Sequence, residues 1–464
     1  MRHAAPSSAP LVFAGGTAGA LAPFGLFLTG VGWLGLSGAP DERGFWPILV
    51  ASLALGLLLA RDRHQFAEAV VTGMARPLVA LMILAWLFAG ILSSLLGASG
   101  LVEGLVWLAG EARLTGGLYV AGAFVLCCLV STSTGTSFGT ILVCGPLLYP
   151  AGAAVGAAPL PLAGAILGGA TFGDSISPIS DTTIASAGTQ GADIGGVVRS
   201  RMKYVLPAGA VAIVAALVVG GSADTAAAAG VIPGSPRSLP MLVVPVTVIA
   251  LLLARRHLVE GLLVGIVVAV GAGLALQLIT PAQLLHVEPG SVTAKSLIID
   301  GLDRAVGVSI FTLLLVGLVA ALEASRMLDR LVDAARRHAT GARAAEAWIV
   351  GAVSGAVLLT THSVVAMLAV GEFTRQTGER FGVSAYRRAN LLDLTVCTYP
   401  FVLPYFLPTI LMAGATAAGA AHGLPRLTPF EAGVSNVYSW ALLGVTLLAV
   451  ATGYGRREGA QRRT

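Results

Sequence analysis

The sequence predicts an all-α polytopic membrane protein. Hydrophobic residues make up 56% of the 464 residues, only 11% are charged, and the mean hydropathy is +0.86. A soluble domain would carry about 25% charged residues. Because one bilayer span needs roughly 20 apolar residues, the chain has room for about ten to twelve transmembrane helices and no soluble domain beside them.

Apolar segments follow one another along the whole chain and define the predicted spans. They lie at about 11–36, 46–60, 70–97, 118–156, 159–186, 204–221, 239–254, 259–279, 306–323, 346–370, 389–420 and 437–454. Polar clusters interrupt segments 118–156 and 346–370 near their middles. We predict that both are re-entrant hairpins, because non-helical backbone inside a bilayer is tolerated only where protein or water satisfies it.

Basic residues on short loops predict the side of the membrane on which each loop lies. They occur at Arg61 and Arg63, at Arg199, Arg201 and Lys203, at Arg255 and Arg256, and repeatedly within 324–345 and 371–388. The two last loops flank segment 346–370, so that hairpin should leave and return on the cytoplasmic side. Counting forward from a cytoplasmic N-terminus, hairpin 118–156 should return on the outer side. We expect both termini in the cytoplasm and the protein in the inner membrane of a bacterium.

The sequence therefore predicts two halves of opposite orientation in the membrane. The first, 1–221, contains hairpin 118–156 and a broken helix at 159–186; the second, 239–464, contains hairpin 346–370 and a broken helix at 389–420. Residues 222–238, rich in Ala, Gly, Ser and Pro, are the predicted linker. Both long helices carry an Asp followed by Pro, which breaks a helix. Inverted repeats with broken helices are the architecture of secondary transporters.

A run of polar residues, 173–183, lies inside the first broken helix and is the main functional candidate. Carboxylates at bilayer depth are costly and normally face a cavity, a partner charge or a bound cation. The predicted cation or proton ligands here are Asp174, Ser177, Ser180, Asp181 and Thr182. Oxygen ligands suit a small hard cation, so Asp174 is the proposed sodium ligand. As alternatives, Asp174 or Asp181 caps a half-helix, and each hydroxyl bonds a carbonyl one turn earlier.

The hairpin tips and the second broken helix supply further candidate residues. At the tips these are Thr132, Ser133, Thr134, Thr136 and Ser137, then Thr360, Thr361, His362 and Ser363. Hydroxyls around Gly135 favour a substrate or ion site over simple helix packing. His362 either carries a proton or stays neutral and bonded to a hydroxyl. Asp393 occupies the repeat position of Asp174, and either joins a composite cation site or pairs with Arg387 or Arg388.

The two motifs Gly173 to Thr183 and Ser133 to Thr140 resemble the NhaC family of sodium/proton antiporters in the ion transporter superfamily. Thr189 to Gly191, and Arg388 to Asp393 followed by Pro404 and Tyr405, resemble one branch of that family. The resemblance implies exchange of Na+ for H+, while other relatives exchange organic acids such as malate and lactate. The antiporters commonly carry a basic residue where this chain has Ser175.

Two classes of function follow, both of them secondary transport. The leading one is sodium/proton antiport with alternating access at a midplane site; the alternative is a sodium- or proton-coupled carrier of a small organic anion or amino acid. A deep intramembrane Arg would favour the carrier, and Arg76 is the candidate. We expect no enzyme activity, because a nucleophile with its base is lacking.

The expected partners are the lipid bilayer and small cations, or a small organic acid or amino acid. Despite the net charge of +5, nucleic-acid binding is excluded because the Arg residues sit in short loops. No nucleotide-binding loop is present, and no cofactor is expected beyond the transported Na+ and H+. The four cysteines lie in apolar segments and are expected to be packing residues. A homodimer stays open as the assembly.

Overall fold

The computed structural model describes residues 10–36, 42–178, 180–221, 234–254, 256–287, 294–327, 340–422 and 424–456. Most of the described residues are helical, and the one sheet among them is the two-stranded antiparallel pair of β1 (His286–Val287) and β2 (Ala294–Lys295). The all-α polytopic membrane class is thus confirmed. Residues 222–233 of the predicted linker and 328–339 of the basic loop 324–345 lie outside the described residues.

The first ten helices belong to the predicted first half. They are α1 (Gly16–Leu36), α2 (Phe45–Leu59), α3 (Arg63–Met74), α4 (Pro77–Ala98), α5 (Leu101–Glu111), α6 (Gly116–Thr134), α7 (Ser137–Ala154), α8 (Pro159–Ile176), α9 (Asp181–Gln190) and α10 (Ile194–Val219).

The remaining helices follow the predicted linker. They are α11 (Val243–Leu253), α12 (Leu258–Ala275), α13 (Pro281–Leu284), α14 (Leu297–Ala324), α15 (Ala342–Thr360), α16 (Ser363–Arg380), α17 (Ala385–Val396), α18 (Leu407–Thr416), α19 (Pro429–Val434) and α20 (Val437–Thr452). Short 3-10 helices occur at Glu42–Gly44, Pro236–Leu242, Tyr399–Phe401 and Ala417–His422.

Helix length separates complete spans from interrupted ones. Within the described ranges, six helices are long and apolar enough to cross a bilayer, and the pair α5 and α6, bent by 113°, adds a seventh. Other apolar helices have only 10–17 residues. The predicted ten to twelve spans thus include segments whose helices are interrupted, because composition alone does not distinguish a continuous helix from a broken one.

Two helix pairs turn sharply inside the segments predicted as hairpins. Helices α6 and α7 pack against each other, and between them Gly135 adopts a left-handed conformation with φ +71°. Helices α15 and α16 also pack together and are separated at Thr361, which has φ +53°. Glycine takes the first conformation without strain, whereas a β-branched residue in the second is uncommon.

The segments predicted as broken helices are also divided. Between α8 and α9 the chain leaves the helix at Ser177 and re-enters it after Ser180. Between α17 and α18 the chain passes through the short helix Tyr399–Phe401 and an irregular stretch to Phe406. Each break leaves carbonyls at the end of one helix and N–H groups at the start of the next without helical partners.

Close contact with α6 fixes the position of α8. A Cβ atom added at Gly173 would lie 2.3 Å from the Cβ of Ser131, so only glycine allows this approach. The Ser131 hydroxyl donates to the carbonyl of Ala170 across the same contact, at 2.7 Å. Small residues and hydroxyl bonds of this kind hold transmembrane helices together. These contacts bring the tip of the first hairpin, between α6 and α7, beside the C-terminal end of α8.

The basic positions 199–203 and 387–388, predicted to lie on loops, are helical instead. Helix α10 begins at Ile194, ten residues before the predicted segment, and includes Arg201, whose side chain is fully buried. Arg387 and Arg388 are buried in α17. The loop prediction was wrong there. The guanidinium groups of Arg201, Arg387 and Arg388 have polar partners inside the protein, which makes burial of these charges tolerable.

Candidate functional site

Asp174 lies near the C-terminal end of α8, where the helix stops at Ile176. Its side chain is buried and accepts two hydroxyl hydrogen bonds. Ser137, at the start of α7, donates to Oδ2 at 2.9 Å, and Ser180, at the end of the break, donates to Oδ1 at 2.6 Å. The structure therefore brings a residue of the first hairpin tip and a residue of the polar run onto one carboxylate.

The other predicted residues of the polar run lie around this carboxylate in different ways. Thr182 exchanges a hydrogen bond of 2.9 Å with Ser180. Ser177 is fully buried, and its N–H donates to the carbonyl of Gly173 at 2.9 Å. Asp181 begins α9, so it does not sit two turns along one continuous helix from Asp174, and the first turn of α9 favours its negative charge.

Several predicted hydroxyls of the first hairpin tip are engaged within their own helices. Thr132 donates to the carbonyl of Cys128 at 2.6 Å, and Thr134 donates to Val130 at 2.8 Å. The Thr136 hydroxyl accepts from the N–H of Gly139 at 3.3 Å. The side chain of Ser133 lies outside the described part of the chain. Ser137 is thus the tip residue whose side chain meets Asp174.

In the second hairpin, His362 is the N-cap of α16. Its Nδ1 accepts from the N–H of Val365 at 3.4 Å, and Thr360 donates to the His362 carbonyl at 3.2 Å. Ser363 donates to the carbonyl of Val396 at 3.5 Å, which connects the hairpin with the end of α17. The cap fixes Nδ1 as the acceptor and leaves Nε2 for a proton.

A cavity of about 560 Å³ joins the two hairpins and the two breaks. Its wall includes Thr134, Thr136 and Ser137, Asp174, Asp181 and Thr182, Thr361, His362 and Ser363, and Pro400, Phe406 and Leu407. Arg256, on the loop between α11 and α12, also lines it. Four helices, α7, α9, α16 and α18, begin at this wall with their N-terminal ends.

Asp393 does not line this wall, and its side chain is fully buried. Its partner is Arg201 of α10, with Nη1 to Oδ2 at 3.0 Å, and neither side chain is exposed. Ser186 of α9 donates to the same carboxylate oxygen at 3.2 Å. The sequence considered Arg387 or Arg388 as the partner of Asp393, and that alternative is wrong. It also named Arg76 as the deep Arg, but Arg76 is 40% exposed and pairs with Glu323.

Arg387 and Arg388 have other partners. Arg387 makes a bidentate pair with Glu346 of α15, with both distances 3.1 Å, and Arg456 pairs with the same carboxylate at 2.8 Å. Arg388 donates to the side chain of Gln190, at the end of α9, at 3.0 Å. Glu372, by contrast, is exposed and pairs with Arg375 along α16.

Arg201 is the main polar residue that the sequence analysis missed as a site candidate. The buried residues of α10 include Val197, Arg201, Val205, Ala208 and Ala212, which recur at helical spacing. Extending the apolar period backwards from the predicted segment 204–221 would have placed Arg201 on this face. This helical spacing is hard to recognise, because a charge next to an apolar segment also predicts a basic loop residue.

Residues 44–220 match the Na+/H+ antiporter family. The resemblance predicted from the sequence is confirmed. The matched range contains Ser137, Asp174, Ser180 and Arg201, and it ends before Asp393. Family similarity therefore covers the carboxylate with its two hydroxyl partners and the buried guanidinium.

Characterised relatives show several transported substrates. The chain is 28% identical over 232 residues to the Na+/H+ antiporter NhaC of Alkalihalophilus pseudofirmus, and 32% identical over 170 residues to the malate-2H+/Na+-lactate antiporter of Bacillus subtilis. These matches cover 48% and 36% of this chain, and 50% and 36% of the relatives. The arginine/ornithine antiporter ArcD of Halobacterium salinarum is 35% identical over 113 residues, 24% of this chain and 23% of the relative. The chain thus matches half or less of each relative's length.

Proposed function

We propose that this chain is a sodium/proton antiporter and that Asp174 is the group at which the two cations compete. One observation carries the proposal: a buried carboxylate at the wall of a cavity accepts hydrogen bonds from Ser137 and Ser180 and has no basic partner among the described ion pairs. Burial penalises the charged form of a carboxylate, and a bound cation favours it. Asp174 therefore holds either a proton or sodium.

The ligands fit a small hard cation. Sodium prefers oxygen atoms, and the site offers two carboxylate oxygens and the hydroxyl oxygens of Ser137 and Ser180. Both hydroxyls donate to the carboxylate and can rotate to direct a lone pair at a cation. When sodium leaves, a proton on the carboxyl group restores neutrality at the buried position. Exchange of the two at one carboxylate is antiport.

Alternating access completes the proposed cycle. The cavity wall at Asp174 contains residues of both predicted hairpins and both predicted broken helices, which supports a site of the kind that inverted-repeat transporters have near the bilayer midplane. We propose that 1–221 and 239–464 move against each other around it, in a bacterial inner membrane with both termini cytoplasmic. The homodimer left open by the sequence stays a prediction.

The size of the cavity supports a second candidate function, transport of a small organic anion or amino acid. A water molecule occupies about 30 Å³ of liquid, so a cavity of about 560 Å³ is far larger than one cation requires. Four helix N-termini and Arg256 at the wall favour a negative group. In that case Asp174 would bind the sodium ion or proton whose movement is coupled to that of the substrate.

Proteoliposomes with a preset pH gradient test these functions. We expect added sodium or lithium to dissipate the gradient in the wild type, and Asp174→Asn to abolish the response. Asp303→Asn, an exposed carboxylate on α14, is the matched control and should behave as wild type. Movement of an organic acid or amino acid with no response to any added cation would replace the first function by the second.

A further inference from the structure

The two buried aspartates, Asp174 and Asp393, occupy comparable positions in their helices. Asp174 precedes the end of α8 at Ile176, and Asp393 precedes the end of α17 at Val396. The C-terminal end of a helix carries partial negative charge, which disfavours a carboxylate there. Both side chains are also buried, so each needs a positive partner or a proton.

The two carboxylates obtain this compensation differently. Asp393 has the guanidinium of Arg201 at 3.0 Å. Asp174 has the hydroxyls of Ser137 and Ser180, and none of the described ion pairs involves it. Asp174 faces the cavity, whereas Asp393 and Arg201 do not line it. The Asp393 carboxylate is therefore paired with a cation of the protein itself, whereas the Asp174 carboxylate is accessible to a cation that enters the cavity.

Arg201 also connects the helices that surround Asp174. Its Nη1 donates to the carbonyl of Ser175, at the end of α8, at 2.6 Å and to the hydroxyl of Thr183 in α9 at 2.9 Å. Its Nε donates to the side-chain oxygen of Asn390 in α17 at 3.1 Å. Guanidinium has five N–H donors in a fixed plane, which suits one group to several acceptors.

These contacts bear directly on the geometry of Asp174. Ser175 follows Asp174 in the chain, and Ser180 and Thr183 lie on either side of the start of α9. When Arg201 holds the end of α8 against α9, it sets the distance from Asp174 to the Ser180 hydroxyl. A positioned group that is displaced by about 1 Å can lose much of its effect.

We infer that Arg201 is a positioning residue for the proposed cation exchange: a tethered cation that occupies at Asp393 the place that the transported cation takes at Asp174. It neutralises Asp393 permanently and holds α9 so that Ser180 reaches Asp174. This inference rests on the proposed function. Of these two carboxylates, it makes Asp174 the exchanging one and Asp393 a fixed counter-ion.

The variants Arg201→Gln, Asp393→Asn and the double variant test the inference in proteoliposomes. Each single change leaves a buried charge without its partner and should lower both folding yield and exchange. The double variant removes both charges, so we expect it to fold and to retain sodium-driven proton movement. Its KM for sodium should be raised roughly ten-fold with little change in maximal rate, because α9 is held less firmly.

Two controls sharpen this result. Arg201→Lys keeps the charge with fewer donors, and we expect a KM between those of the wild type and the double variant. Asp174→Asn in the double-variant background should abolish exchange. A folded, inserted double variant as inactive as Asp174→Asn would overturn the inference, since Asp393 would then belong to the exchange site. A double variant with wild-type KM would overturn the positioning role.

Thermal unfolding in detergent separates this inference from the proposed function. Wild-type protein that gives no sodium response would contradict the proposed function. The unfolding temperatures would then decide whether Arg201 neutralises Asp393. We expect the double variant to unfold at a higher temperature than either single variant. A double variant that unfolds at or below the temperature of either single variant would overturn the proposed pairing of Arg201 with Asp393.

Discussion

Among the described residues, three carboxylates are buried: Asp174, Glu346 and Asp393. Glu346 binds two guanidinium groups and Asp393 binds one, so both charges are compensated inside the protein. Asp174 has hydroxyl partners and faces a cavity. A buried charge without a partner is strongly unfavourable, so Asp174 is the carboxylate at which we propose that a proton and sodium exchange.

The hydroxyl of Ser180 should contribute directly to cation affinity. Ser180→Ala removes an oxygen that lies 2.6 Å from the Asp174 carboxylate. We expect the KM for sodium to rise about ten-fold, the effect of losing one hydrogen bond to a charged group. Ser354→Ala, which removes a hydroxyl bonded to Val350 within α15, is the matched control. Equal KM values for the two variants would exclude Ser180 as a ligand.

Thr132 tests the opposite expectation. The sequence predicts it as a site residue, yet its hydroxyl donates to the carbonyl of Cys128 at 2.6 Å. Thr132→Val keeps the shape of the side chain and removes this hydrogen bond. Such a bond to a carbonyl one turn earlier has little effect on helix stability. We expect the sodium KM to change less than about two-fold, within the weak effect of such a bond. A change as large as that of Ser180→Ala would return Thr132 to the site.

At the scale of helices, the contact of α6 with α8 positions Asp174. A Cβ at Gly173 would lie 2.3 Å from the Cβ of Ser131 and 2.4 Å from the backbone nitrogen of Thr132. Gly173→Ala should therefore separate the two helices and lower stability by about 1–3 kcal/mol, the usual cost of overpacking. It should also weaken sodium binding, because Asp174 moves away from Ser137.

Gly122→Ala is the control for this helix contact, because an added Cβ there meets no atom within 4 Å. Thermal unfolding and sodium KM are the measurements. We expect Gly122→Ala to match or exceed the wild type in stability, since alanine favours a helix over glycine. Wild-type stability and KM in Gly173→Ala would contradict the role of this contact.

The sequence predicted some of these elements better than others. Pro178 and the polar residues around it indicated an interruption in segment 159–186, and the helix does stop at Ile176. The start of α10 at Ile194 differs from the prediction, because Arg199, Arg201 and Lys203 predict a basic loop there. Local composition reports that a charge is present. It does not report the acceptors on α8, α9 and α17 that make burial of Arg201 tolerable.

For the whole molecule, we propose that the cavity is the route by which cations reach Asp174. It extends from the hairpin tips to Arg256, on a loop that the distribution of basic residues predicts to be cytoplasmic. The residues that line the cavity come from distant parts of the chain and are brought together by the fold. The sequence could therefore propose Asp174 and Ser137 separately as candidates, whereas their hydrogen bond required the fold.

Thiol labelling tests the direction of access. All four native cysteines are buried, so the wild type should react little. Ser363→Cys places a thiol at the cavity wall, and a membrane-impermeant reagent should modify it from the cytoplasmic face, more slowly when sodium is present. Thr446→Cys, buried in α20, is the control and should stay unmodified. Reaction of Ser363→Cys from the outer face alone would contradict the predicted orientation.

We propose that sodium and a proton compete for the Asp174 carboxylate. Proton release from purified protein in weakly buffered detergent, on addition of sodium chloride, measures this competition without a membrane. We expect a sodium-dependent release of protons from the wild type, decreasing as the starting pH rises and the carboxyl group is already ionised. Asp174→Asn should release none. Equal release from the wild type and Asp174→Asn would contradict the claim.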